Sequence, residues 1–153
     1  MTISHALIDD PEIHEPKGVS MASVGQVYVA DGAGSGDWGF PTAVLTLDIN
    51  DITAVADYYI VFPFAATITK VYSVIDGAIG TADKVLTMSI GGVAITDGVI
   101  TIAYSGSAAG DVDSCTPSAA NAITQGAALK IAATGGTTNA VKVHLTIYCQ
   151  RTA

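Results

Sequence analysis

The stretch Val141-Lys142-Val143-His144-Leu145-Thr146-Ile147-Tyr148-Cys149-Gln150 alternates without interruption. Val141, Val143, Leu145, Ile147 and Cys149 fall on one side, and Lys142, His144, Thr146, Tyr148 and Gln150 on the other. A side-chain period of two is that of a β-strand, here with one face in a core and one turned outward. The same period recurs upstream. Leu45, Leu47 and Ile49 oppose Thr46 and Asp48; Leu86, Met88 and Ile90 oppose Val85, Thr87 and Ser89; Val27 and Val29 alternate with Gln26 and Tyr28. Ile60, Phe62 and Phe64 alternate around Val61, and Pro63 marks a strand end or sheet edge. Thr67 to Ile75 reads as a strand whose alternation breaks at Thr69-Lys70-Val71, which predicts a bulge.

Turn chemistry separates these runs. Gly91-Gly92 and Asp97-Gly98 predict two tight turns around a very short strand, followed by Ile100, Ile102 and Tyr104. Residues 105–122, rich in Gly, Ala, Ser and Asp, read as one long loop. Leu129, Ile131 and Ala133 form a short strand ending at Gly135-Gly136. Composition agrees: 15 Val, 16 Ile and 17 Thr stand against 6 Leu, and β-branched side chains favour the pleated surface of a sheet. Only Glu12 and Glu15 represent glutamate, whereas the twelve Asp suit turns and caps. The expected fold is all-β, a single antiparallel β-sandwich or jelly roll over residues 23–153. Residues 1–22, with both Glu, two of the three His and no consistent apolar period, are expected to be an extended N-terminal arm.

The chain has 153 residues and a net charge of −8, with 50% hydrophobic and only 13% charged residues. That length suits one domain, and so apolar a chain can build its own core. Lys17, Lys70, Lys84, Lys130, Lys142 and Arg151 form no basic run and no aromatic interleaving, so no nucleic-acid partner is expected. No apolar stretch approaches the roughly 18 residues of a membrane-spanning helix, and no membrane partner is expected. Residues 1–18 carry Asp9, Asp10, Glu12, Glu15 and Lys17 and lack the apolar run of a secretory leader. Folding in a reducing cytoplasm follows as an expectation. Cys115 and Cys149, 34 positions apart, then read as two free thiols.

Signals for chemistry are sparse. Asp31-Gly32-Ala33-Gly34-Ser35-Gly36-Asp37 invites a phosphate or calcium reading, but Trp38-Gly39-Phe40-Pro41 follows where a helix would be needed. A turn or linker is the expectation there. His5, His14 and His144 are too scattered for a metal site, and no Gly-x-Ser-x-Gly elbow is present. No catalysis, cofactor or metal is expected. Trp38, Phe40, Tyr58 and Tyr59 are the candidate ligand or interface residues, since aromatics near strand ends stack on sugars or plug subunit contacts.

Two segments resemble tailed-bacteriophage virion proteins. One is His14-Glu15-Pro16-Lys17-Gly18-Val19 leading to Val27-Tyr28-Val29-Ala30-Asp31-Gly32-Ala33-Gly34-Ser35-Gly36 and Trp38. The other is Ile68-Thr69-Lys70-Val71-Tyr72-Ser73-Val74-Ile75-Asp76-Gly77-Ala78-Ile79. Both are similar to segments of phage head decoration (cement) proteins and head fibres. The resemblance implies a structural protein on the outer surface of the virion, made in the host bacterial cytoplasm. It implies non-covalent attachment to the major capsid protein through an N-terminal segment, and a β-sandwich body clustered as a homotrimer. Within the arm, His5, His14, Glu15 and Lys17 are the candidate capsid contacts. The chain lacks the long repeats or coiled-coil shaft of a fibre, which favours a decoration protein. The alternative is a host-receptor or glycan-binding module of a head or tail fibre, using the 105–122 loop and the aromatics.

Overall fold

The computed structural model describes residues 21–33, 36–136 and 138–152. Eleven strands run through them. In order they are β1 (Val27–Ala30), β2 (Gly36–Gly39), β3 (Thr42–Ile49), β4 (Ala56–Val61), β5 (Ala66–Ile75) and β6 (Lys84–Ile90). They continue with β7 (Val93–Ile102), β8 (Val112–Cys115), β9 (Ala122–Ile123), β10 (Ala128–Thr134) and β11 (Val143–Arg151).

Two units result. The first holds β1 and β2, which pair only with each other among the described residues, with Tyr28 opposite Trp38 and Ala30 opposite Gly36. The second, Thr42–Thr152, holds the other nine strands. Among the described residues the hairpin forms no ladder with the sandwich strands, which begin at Thr42. Residues 1–20 of the expected arm lie outside the described residues.

The nine strands form two antiparallel sheets, β3-β11-β5-β8 with β9 also on β5, and β4-β10-β6-β7. Setting aside the two-residue β9, the first strand of the sandwich pairs with the last, the second with the next to last, and so inward to the β6–β7 hairpin. That winding is a jelly roll. The inward side chains predicted from the alternation meet between the sheets. Ile49, Ile68, Val71, Val143, Leu145 and Ile147 come from one sheet, and Leu86, Met88, Ile100, Leu129 and Ile131 from the other.

The predicted bulge is present. Tyr148 pairs with Lys70 and Cys149 with Ile68, leaving Thr69 extra, and its hydroxyl donates to the Tyr148 carbonyl at 3.2 Å. Two turn and loop expectations need correcting. Gly91-Gly92 turns the β6–β7 hairpin, but Asp97-Gly98 lies within β7, where the register jumps between Thr87 and Ser89. Asp97 there adopts φ +57°, so the dipeptide supplies a bulge instead of a chain reversal. Thr96 pairs with Ala119, and the Ser118 hydroxyl bonds the Asp97 carboxylate, which ties the edges of the two sheets together. Residues 105–122 are likewise not one loop. Within them β8 pairs with Ser73 and its neighbours, and Asn121 spans the gap before β9 by donating its side-chain N–H to the Ile68 carbonyl at 2.7 Å. Asp and Ser hide this strand from a propensity reading, because pairing to β5 outweighs their turn preference.

Candidate functional site

Of the residues singled out by sequence, Trp38 and Phe40 belong to the hairpin unit and Tyr58 and Tyr59 to the sandwich. His5, His14, Glu15 and Lys17 lie outside the described residues. In the hairpin unit, Trp38 packs edge-on against Tyr28, centroids 5.4 Å apart, and Phe40 lies against Gly25. The glycine-rich stretch joins β1 to β2. Its Asp31 carboxylate accepts the Ala33 N–H at 2.7 Å, and any side chain at Gly36 would collide with the Val29 carbonyl. Tyr58 and Tyr59, being adjacent on β4, point to opposite faces. Tyr58 packs against the core and donates its hydroxyl to the Asp51 carbonyl at 3.2 Å. Tyr59 is exposed on the outer face of its sheet, between the Asp57–Lys130 ion pair and Val61. They cannot form one stacking platform.

Four loops meet at one end of the jelly roll, those before β4, β6, β8 and β11. Asp51, Asp76, Asp83 and Asp111 lie in them, which makes this end acidic. Lys84, without exposed surface, holds two of the loops by donating to the Ala54 carbonyl at 2.8 Å and the Gly135 carbonyl at 3.2 Å. Burial lowers its ammonium pKa, and the Asp51 charge opposes that shift. Asp51 is itself held below the usual carboxylate range, chiefly by the Thr53 N–H. Gly135 has φ +84°, and a Cβ there would strike the Asp83 carbonyl. The remaining loops are joined by Asp76 with Lys142 and by Ser107 with Ile79.

Beside this end lies a cleft of about 190 Å³ lined by Ile75, Ile102, Ser105, Ser107, Asp111 and Asp113. Asp113 points inward from the edge strand β8, and burial followed by the nearby Asp111 charge raises its pKa. An inward charge on an edge discourages further strand pairing there. Ser107 is committed to structure, accepting the Ile79 N–H and donating to the Tyr104 carbonyl. Among the described residues no three His, Cys, Asp or Glu side chains group closely enough to hold a metal ion. The two cysteines are free, as the sequence suggested, and both are buried. Burial pushes the Cys115 thiol up to about 11, and Cys149 upward as well, so neither is a nucleophile at neutral pH.

A feature missed by sequence reading is the outer face of the β3-β11-β5-β8 sheet. Cross-strand register assembles it in rows: Asp48-His144-Val74-Val112, then Thr46-Thr146-Tyr72-Ser114, then Val44-Tyr148-Lys70. Val44 is 50% exposed, Val112 61%, Tyr72 39% and Tyr148 38%. The tyrosine rings meet edge-on at 5.8 Å, and the Lys70 ammonium sits 5.4 Å from the Tyr72 ring. His144 Nδ1 lies 2.7 Å from the Asp48 carboxylate. The alternation at 141–150 exposes Tyr148 and His144 in the sequence, but one strand alone does not reveal its neighbours.

No protein-family model matches the chain, and no curated protein matches it either.

Proposed function

We propose that the chain is a structural virion protein that decorates and stabilises the outside of a bacteriophage capsid. On this reading residues 1–22 bind the major capsid protein non-covalently and the jelly roll stands outward as a rigid body. The observation that carries it is the division of labour along the chain. Among the described residues every buried core side chain of the sandwich lies between Ile49 and Cys149, so residues 21–33 and 36–38 of the first resembling segment add nothing to that core, whereas the second, 68–79, runs through it. A body whose described core draws on no residue before Ile49 leaves the leading segment for a shell. Binding to assembled shell stabilises the bound state by mass action, with no chemistry required.

Deleting residues 1–20 should abolish binding to purified capsids while the β-type circular dichroism spectrum persists. Wild-type capsid binding by the shortened chain would refute the reading. Copy number in purified particles tests it independently: hundreds of copies in simple proportion to the shell protein support decoration. A second reading, a host-receptor or glycan-binding module of a fibre, draws on the cleft with its Ser105 hydroxyl and Asp111 and Asp113 carboxylates. It predicts about a dozen copies per particle.

A further inference from the structure

The geometry points to the outer face of the β3-β11-β5-β8 sheet as the surface on which a second copy of this chain docks, same face to same face. Three observations carry this, and none depends on attachment to a capsid.

The first is charge. Two copies each bearing −8 repel, and they can approach closely only where acids are few. Among the described residues of these four strands the one acid on this face is Asp48, paired with His144, and the one lysine is Lys70; Asp76 and Lys142 pair just beyond the end of β5 and the start of β11. Asp76, Asp83 and Asp111, which accept the Lys142, Tyr104 and Ala108 N–H groups, belong to the loops at one end. A strongly basic or acidic partner would find little here to pair with, whereas a neutral copy of the same face meets no like-charge penalty.

The second is composition. Tyr72, Tyr148, Val44, Val74 and Val112 with interspersed Thr and Ser match the core of a protein interface, rich in aromatics and poor in Lys, Asp and Glu.

The third is that the rows are complementary to themselves. A two-fold axis parallel to the strands, between β11 and β5, keeps each row in register and reverses its order. Tyr72 then lies over Thr146 of the second copy, and Thr46 over Ser114 of the second copy. Lys70 lies over Tyr148 of the second copy, extending the cation–aromatic contact that it already makes with Tyr72. Tyr72 thus faces a small side chain and Lys70 an aromatic ring, and the arrangement repeats on both sides of the axis, as an isologous contact requires.

Light scattering on the full chain at micromolar concentration tests the assignment, beside Val44→Asp, Tyr148→Asp and, on the outer face of the other sheet, Tyr59→Asp. The expected result is an assembly of two or more copies for the wild type and for Tyr59→Asp, and a monomer for the other two. Far-UV circular dichroism establishes that each variant is folded. Val44, half exposed, takes a charge without disturbing the core, so the test survives if Tyr148→Asp does not fold. A monomeric wild type overturns the proposal, and so do face variants that assemble like wild type. A monomeric wild type whose face variants lose capsid binding overturns it too, and gives the face to the shell protein. Failure of the capsid reading looks different: deletion of residues 1–20 leaves capsid binding intact, whatever the assembly state.

Discussion

Lys84 shows how one side chain organises an end of the molecule. Its stem crosses the core margin, and its ammonium satisfies carbonyls from the loops before β4 and before β11. Replacing it with Met keeps the stem but leaves both carbonyls without a donor, against the relief of no longer burying a charge. Unpaired buried groups should dominate, so Lys84→Met is expected to lose about 1–3 kcal/mol of stability. A melting temperature equal to wild type would show that water replaces the ammonium at no cost. Asp113 acts in the opposite direction. Its pKa is raised in the folded state, so the folded chain binds that proton more tightly than the unfolded chain. Stability from this group is therefore greatest at low pH and falls as pH rises from 3.8 through the raised value. Asp113→Asn should melt higher than wild type at pH 7, with the difference vanishing below pH 3.8, where wild type is protonated in both states. Thermal melts of the two proteins across that range would read it, and a gap independent of pH would disprove it.

At the scale of elements, legibility followed burial. β3, β6, β10 and β11 each hold apolar residues at every second position, and the sequence displays them because one face is in the core. The bulge at Thr69 was legible for the same reason, since it is a break in an otherwise regular period. What stayed hidden depends on a neighbour. β8 contains Asp113 and Ser114 and becomes a strand only by pairing with β5. Asp97-Gly98 carries the chemistry of a turn, but the bridge from Thr96 to Ala119 holds the chain in a bulge. Tyr58 and Tyr59 looked like a pair because adjacency is visible in sequence, while the face each takes is fixed by the β4–β10 register. The same limit applies to the candidate interface. Val44, Tyr148 and Tyr72 are 104 and 76 positions apart along the chain in successive steps, and only the ladder of β3, β11 and β5 sets them side by side.

On the scale of the whole molecule, the jelly-roll winding makes the sandwich self-contained. Its first strand is held along its length by its last, from Thr42 opposite Gln150 to Ile49 opposite Val143. The chain therefore enters and leaves the sandwich at the same end, remote from the four loops, two of them pinned by Lys84. Nothing before Thr42 supplies a core side chain of the sandwich or a ladder partner to it, among the described residues. A chain beginning at Thr42 should thus keep the fold. At matched protein concentration its melting temperature should shift by less than about 4 °C, the scale that roughly 1 kcal/mol sets in a domain of this size. Exchange of the buried amides on β5, β10 and β11 should stay as slow as in the full chain, since those strands are central in their sheets. A much larger drop, with early exchange along β3, would mean that the leading segment holds the first strand in place. In that case the segment could not release to grip a shell without loosening the body behind it, and attachment through residues 1–22 would have to be abandoned.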